Sequence, residues 1–224
     1  MRSIVSVIGA ITILSCGVLL FIARAGANEP KGNVETPIAP PTVLRYKIDA
    51  SKSKFIVHAY RGGLAYFKGH DHLIAVRDFD GEASLSLDTI DPAALQMNIR
   101  SDSLEETSDV FTAAQKGIIK KELDGIVLES AKYPEITFRS TDVKGGIKNG
   151  QINVKIGGDI TLHGVTRHIV IPATVTADDG ALHAKGEFTI ERSKFNVKAT
   201  SAFHGFVRVK NKLRFTFDIV GQRG

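Results

Sequence analysis

Hydrophobic and polar residues alternate along most of the chain after residue 43, in short runs that Gly, Asp and Asn separate. The alternation is clearest at 83–87 and 215–219, where apolar residues occupy every second position. A period of two places successive side chains on opposite faces of a strand. The pattern therefore predicts an antiparallel barrel or sandwich, with strands that include 55–57, 81–87, 95–99, 136–138, 152–156, 169–175, 182–190, 206–209 and 213–219.

Residues that favour turns separate some of these runs, at 148–150, 178–180 and 210–212. One stretch departs from the alternation. Ser103, with Glu106 three residues later, resembles a helix-capping box, and apolar residues then recur at helical spacing as far as Leu123. We expect one or two short helices between 104 and 124, inserted in an otherwise all-β domain.

The first 27 residues have the features of a leader. Arg2 is followed by an uncharged stretch from residue 4 to residue 23, and Ala25, Gly26 and Ala27 form a small-residue cleavage site. The apolar stretch is also long enough to span a bilayer, so 1–27 is predicted to be either a signal peptide or a membrane anchor. Both alternatives place the rest of the chain in the periplasm or elsewhere outside the cytoplasm, in the second case anchored to the inner membrane.

Residues 28–42 contain four of the seven prolines and are predicted to be an extended linker. No internal repeat or second domain boundary follows, so 43–224 is predicted to be one β domain.

With 24% charged and 43% hydrophobic residues, the chain of 224 residues is neither disordered nor a multi-span membrane protein. Its basic residues are dispersed, and a net charge of +5 without a basic stripe argues against nucleic-acid binding.

Two histidines in the sequence Gly69-His70-Asp71-His72 are candidates for binding chemistry. On a strand, His70 and His72 point to the same side and so could face one metal ion or one anionic group. Zinc needs at least three protein ligands, and the only cysteine, Cys16, lies in the leader. The alternative of an exported metal-dependent or hydrolytic protein therefore requires His58, His163 or His168 to approach the pair. We predict that no metal is held tightly and that the chain has no catalytic residues.

The stretch from Leu162 to Arg167 allows two interpretations. Arg167 and His163 could contact a phosphate or another polar head group. The simpler interpretation is a tight hairpin in which Gly164 has a positive φ.

The chain contains twelve phenylalanines, four tyrosines and no tryptophan, which suits either a solid core or a cavity for a long apolar ligand. A solid core would make the domain an interaction module without a small ligand. The side chains that the alternation places inward, and that would line a cavity, are Phe55, Val57, Ile136, Phe138, Phe188, Ile190, Phe215 and Phe217.

Three segments resemble the YceI-like family. Residues 46–53 are similar to its Y-x-I-D-x-x-x-S opening strand, 129–140 to its Y-P-x-I-x-F-x-S segment, and 158–167 to its G-x-L-x-x-H-G-V-T-[KR] motif. The resemblance covers about 44–220 and implies an extended, lipocalin-like antiparallel β-barrel of about eight strands that is exported to the periplasm. The sequence at 69–72 differs from the better-known members and indicates a His-Asp-His subgroup.

The resemblance also implies a ligand, because members of the family bind polyisoprenoids, including isoprenoid quinones, inside the barrel. The leading hypothesis is therefore an exported, non-enzymatic protein that holds an isoprenoid or another long-chain lipid for transport or storage in the cell envelope. No cofactor other than such a ligand is expected, and a membrane is a further possible partner. His70, His72 and Arg167 are the head-group candidates at the mouth of the barrel.

Overall fold

A computed structural model describes residues 41–149, 151–202 and 207–224. The predicted leader at 1–27 and the linker as far as residue 40 lie outside these ranges, as does Phe206. The strands form one antiparallel sheet and confirm the all-β prediction. They are β1 (Val43–Ile48), β2 (Lys54–Gly62), β3 (His72–Val76), β4 (Phe79–Ser86), β5 (Ile90–Arg100), β6 (Leu104–Glu106), β7 (Glu135–Lys148), β8 (Gln151–Leu162), β9 (Val165–Ala177), β10 (Ala181–Glu191), β11 (Ser201–Ala202) and β12 (Val207–Arg223).

The sheet closes into a barrel of eight antiparallel strands, as the family resemblance implies. The order around the barrel is β1-β4-β5-β7-β8-β9-β10-β12, and β12 pairs back with β1 at Tyr46 and Arg223. The shorter strands β2, β3 and β6 continue β1, β4 and β5 beyond a bend. β2 pairs with both β12 and β3, and β3 pairs with β6. Each of the eight long strands therefore pairs with a neighbour on both sides over at least part of its length.

Hydrogen bonds hold the three bends together. The backbone N–H of Val220 donates to the Ser53 hydroxyl at 2.9 Å, beside the 3₁₀ turn Ala50–Lys52. In the next bends, the N–H of Arg77 donates to the Ser103 carbonyl at 3.2 Å, and the N–H of Arg100 donates to the Asp78 carbonyl at 3.0 Å. The strands therefore change direction while these backbone groups stay paired.

Within the described ranges one α-helix, α1 (Ala113–Glu122), interrupts the strands, and a π-helical turn, Leu123–Val127, follows it. Thr112 and Gln115 form its capping box. The predicted helix start at Ser103 is wrong, because residues 104–106 pair with β3 as strand β6. The remaining 3₁₀ turns are Tyr66–Lys68, Ser101–Ser103 and Arg192–Phe195.

The turn predicted at 210–212 is also wrong. β12 runs through it, and the pairing with β2 shifts register between Val209 and Leu213, so the polar residues form a bulge. A turn at Asn149 follows β7, within the predicted 148–150, although Gly150 lies outside the described ranges, and the turn predicted at 178–180 joins β9 to β10. The hairpin between β8 and β9 has His163 at φ 51° and Gly164 at φ 72°, so both central residues have the positive φ of a two-residue hairpin turn.

The barrel has two distinct ends. The helix end contains α1, the β2–β3 loop and the β8–β9 hairpin, whereas the far end contains the β4–β5, β7–β8 and β9–β10 turns. Two buried apolar clusters occupy the interior, one towards each end. None of the helices in the described ranges has the length and hydrophobicity required to span a bilayer.

Candidate ligand-binding cavity

The barrel interior contains two apolar spaces. The distal lobe, towards the far end, has a volume of about 120 Å³, and the helix lobe, beside α1, has a volume of about 160 Å³. Both are lined by the waist residues Phe55, Ile99, Ile160 and Phe188. Protein cores contain few voids larger than a water molecule, so the interior of this barrel is not packed solid.

All eight side chains predicted to face inward line these lobes. Phe55 and Phe188 line both of them. The distal lobe also has Phe138 and Phe217, and the helix lobe has Val57, Ile136, Phe215 and Ile190. The alternation of the strands is the physical reason, since residues two apart lie on the same face of the sheet.

Phenylalanine side chains from three neighbouring strands contact one another at the waist. The Phe188 and Phe215 rings are stacked with centroids 4.8 Å apart, and Phe55 lies 6.1 Å from Phe215. Phe217 lies opposite Gly186 on β10. A Cβ at Gly186 would lie 2.6 Å from the Phe217 ring and 2.3 Å from the Pro172 carbonyl oxygen. Glycine therefore provides the space that lets the Phe217 ring lie across β10.

The two lobes differ in polarity. The only polar side chain that lines the distal lobe, among the described residues, is Ser84. The helix lobe includes four side chains that are charged or can become charged, and one hydroxyl. These are His72, Glu122, Arg192, Lys198 and Thr200. A ligand with one polar end therefore fits this cavity in one direction better than in the other.

His72 is held by a buried carboxylate. Its Nδ1 lies 2.7 Å from Oε2 of Glu106, whose side chain is fully buried. The other carboxylate oxygen accepts from the backbone N–H groups of Ser108 at 2.8 Å and Leu73 at 3.2 Å. Burial acts to raise the pKa of Glu106, but these hydrogen bonds outweigh it and lower the pKa below its ordinary value. Because an ionised carboxylate only accepts hydrogen bonds, Nδ1 of His72 carries the proton and Nε2 is left for another partner.

His70 does not line either lobe. It is exposed in the loop before β3, and its ring meets Phe111 edge-on at 5.6 Å, while His72 stacks on the same Phe111 at 5.1 Å. His58 lies 3.0 Å from Thr216 Oγ1, and His168 lies 3.2 Å from Asp159. Within the described ranges, no group of three or more His, Cys, Asp and Glu residues is arranged to hold a metal ion.

The hairpin residues 163–167 contribute to structure rather than to the lining of the cavity. His163 is buried, with Nε2 2.7 Å from Glu129 Oε2 and its ring 4.3 Å from the Tyr133 ring. These contacts join the hairpin to the segment that follows α1. Arg167 is exposed, and its Nε donates to the Lys194 carbonyl at 3.3 Å, so it lines neither lobe.

A family model described as the YceI-like domain matches residues 46–221, which is nearly the whole barrel. The chain belongs to the YceI-like family. The match contains all three segments that carry the resemblance, and it extends from β1 to β12.

Other YceI-like proteins are similar over much of this chain. Protein YceI of Escherichia coli O17:K52:H18 is 32% identical over 160 residues, which are 68% of this chain and 76% of that protein. A UPF0312 protein of Pseudomonas savastanoi pv. phaseolicola is 34% identical over 131 residues, or 54% of this chain. The matched segment spans 62% of the length of that Pseudomonas relative.

A solved structure has the same fold. It is a polyisoprenoid binding domain from Saccharophagus degradans implicated in plant cell wall breakdown, with a TM-score of 0.57 and 14% identity. The likeness covers 81% of this chain and 99% of that domain. At this identity the comparison supports the architecture of the barrel.

Sequence patterns do not identify Glu106, which holds His72, nor four polar residues that line the helix lobe: Glu122, Arg192, Lys198 and Thr200. Glu106 was assigned to a helix cap, although its two-residue spacing from Leu104 matches a strand with both side chains inward. Arg192 lines the helix lobe from a 3₁₀ turn, and Lys198 from the segment after that turn. No periodicity identifies the last two residues, because they lie outside the strands.

Proposed function

We propose that this YceI-like barrel binds an isoprenoid or another long-chain lipid in its two lobes and carries or stores it in the cell envelope. The observation that supports the proposal most strongly is the apolar, two-lobed cavity inside a closed barrel. The description of the Saccharophagus degradans domain as polyisoprenoid binding points to the same ligand class. Binding requires no catalytic group, and we assign none.

The size of the lobes limits how much of a chain fits at one time. An apolar cavity of about 150 Å³ accommodates a benzene molecule. Lobes of about 120 and 160 Å³ therefore each have room for roughly one five-carbon isoprene unit. A longer chain extends beyond the helix lobe or requires the waist residues Phe55 and Phe188 to move.

The polarity of the lobes gives the ligand a direction. The apolar tail is proposed to occupy the distal lobe, and the polar end to lie in the helix lobe near His72, Arg192 and Lys198. Nε2 of His72, the ring nitrogen that does not face Glu106, is available to a hydroxyl, whereas Arg192 and Lys198 donate to carbonyl, carboxylate or phosphate oxygens. His72 therefore remains a proposed head-group residue. Arg192 and Lys198 replace His70 and Arg167 as the other candidates, because only the first two line the helix lobe.

The proposed location is the periplasm. It rests on the leader at 1–27 and on the linker at 28–42, which separates the barrel from a cleavage site or from an anchor in the inner membrane. An isoprenoid chain is almost insoluble in water, so a carrier in an aqueous envelope compartment must exclude water from the chain. The closed barrel provides that exclusion.

Native mass spectrometry of the protein purified from its own envelope tests this function. We expect a mass increment equal to an isoprenoid or other long-chain lipid, which organic extraction removes, and no increment equal to zinc. The lipid identified after extraction should bind again to the stripped protein. Protein that carries no lipid, and that binds none of the lipids extracted from the same envelope, would show that the proposed function is wrong.

A further inference from the structure

The helix end of the barrel presents large apolar side chains to solvent. In the β2–β3 loop, the exposed fractions are 85% for Leu64, 56% for Tyr66 and 67% for Phe67. The last two belong to the 3₁₀ turn Tyr66–Lys68, and their rings meet nearly edge-on at 6.2 Å. Isolated exposed apolar residues are normal, but three large ones within four positions form a patch.

A second set of exposed apolar side chains comes from the segment around α1. It consists of Val110 before the helix, Ile118 on it and Ile126 in the π-helical turn, each at least half exposed. Phe111 links this segment to the β2–β3 loop through its ring contacts with His70 and His72. We call residues 64–68 together with Val110, Ile118 and Ile126 the mouth face.

Lysines accompany these apolar groups. Lys68 follows Phe67 directly, and the exposed Lys121 lies three residues after Ile118, on the same side of α1. Lys198 is exposed and also lines the helix lobe. The turns of the far end carry the exposed acidic residues Asp88, Asp91, Asp178 and Asp179, of which Asp179 pairs with Arg223, and also the exposed Lys148. Three lysines therefore accompany the exposed apolar side chains at the end where the helix lobe lies.

We propose that the mouth face docks on a lipid bilayer that contains anionic head groups. Aromatic and aliphatic side chains interspersed with lysine are typical of surfaces that insert into the interfacial region of a membrane. A bilayer is favoured over a protein partner because lysine is depleted in protein–protein interfaces. The proposal rests on the proposed lipid-binding function, since docking at this end brings the helix lobe to the bilayer and shortens the path of a lipid through water.

The absence of tryptophan makes a direct test possible, because a single introduced Trp is the only indole in the chain. Phe67→Trp reports from the mouth face, and Ile147→Trp, at a position 49% exposed near the far end, is the matched control. Each variant is mixed with two kinds of vesicle, one of phosphatidylcholine alone and one in which about a third of the lipid is phosphatidylglycerol. Each kind is prepared with and without brominated acyl chains. We expect a blue shift and bromine quenching for Trp at 67 with the anionic vesicles, and neither change at 147.

The role of charge is tested in the Phe67→Trp background. A lysine near an anionic membrane surface strengthens binding about fivefold, so Lys121→Glu with Lys198→Glu should weaken vesicle binding by about twenty-five-fold or more at low salt. Loss of the blue shift at high salt is expected for the same reason. Equal binding to both kinds of vesicle, an equal response at 147, or no response at 67 with anionic vesicles would each overturn the proposal.

A separate variant distinguishes this proposal from the function on which it rests. Leu64→Ser in the Phe67→Trp background should reduce vesicle binding but leave the binding of a short isoprenoid alcohol in solution unchanged. If the alcohol binds and vesicles do not, the docking proposal fails and the function stands. If vesicles bind and the alcohol does not, the cavity function fails while the docking surface stands.

Discussion

Filling the distal lobe should shorten the chain that the barrel accepts. Ala184, on β10, faces this lobe, and Ala184→Phe places a benzene-sized ring in a space of about 120 Å³. The lobe then has no room for the second isoprene unit of a ten-carbon alcohol. Five carbons at about 0.8 kcal/mol per buried methylene correspond to about 4 kcal/mol. That free energy corresponds to a ratio of several hundred between the dissociation constants of the five-carbon and ten-carbon alcohols.

The assay compares prenol, with five carbons, and geraniol, with ten, by titration calorimetry or by competition. The wild-type protein should bind geraniol several hundredfold more tightly than prenol, whereas in Ala184→Phe the ratio should approach one. A ratio within one variant is insensitive to small losses of stability. Overpacking a filled core costs about 1–3 kcal/mol, whereas here the ring enters a cavity that no protein atom fills.

Two matched variants complete the test. His183→Phe puts the same ring on the exposed outer face of β10 and should leave the ratio unchanged. Ala59→Phe fills the helix lobe and should weaken both alcohols. If Ala184→Phe folds and still prefers geraniol as strongly as the wild-type protein does, the tail does not reach the distal lobe and the proposed direction of binding is refuted.

Three further predictions concern stability. Glu106→Gln should lower the free energy of unfolding by about 1–3 kcal/mol at neutral pH. Folding lowers the pKa of Glu106 from 4.5, so the ionised side chain stabilises the fold above that pH. In urea unfolding, the difference between the two proteins should shrink as the pH falls through the pKa of the folded state. Gly164→Ala should lower stability by about 1–3 kcal/mol, since φ is 72° and a Cβ would lie 2.6 Å from Tyr133. Gly146→Ala is the control, because a Cβ there would have no atom within 4 Å, and thermal unfolding should show a smaller loss for it. Limited proteolysis should cut within 28–42 and leave a resistant core of about 180 residues; a stable fragment ending near residue 125 would contradict a single barrel.

Much of the barrel could be predicted because alternation determines which side of a strand is buried. The eight side chains assigned inward all line the lobes, since each lies in a regular strand where a period of two holds. The turn predicted at 210–212 fails for a related reason. Polar residues in a β-bulge resemble polar residues in a turn, and only the pairing of β12 with β2 distinguishes them.

The polar part of the cavity could not be predicted in the same way. Glu106 is three residues after Ser103, which also fits a helix cap, and its partner His72 is 34 positions away. The volume of the interior could not be predicted either, because alternation gives the direction of a side chain but not its distance from the opposite wall of the barrel. The bends that separate β1 from β2 and β5 from β6 depend on hydrogen bonds between distant residues.

In the proposed complex, a lipid chain lies inside the barrel with its tail in the distal lobe. Photo-crosslinking with a ten-carbon isoprenoid alcohol that carries a diazirine at its tail tests this claim most directly, because peptide mapping identifies the residues that the tail contacts. We expect adducts on inward residues of the distal lobe such as Phe217, Ala184 and Val154, and their loss in Ala184→Phe. Adducts confined to the outer face of the barrel or to the mouth face would contradict it.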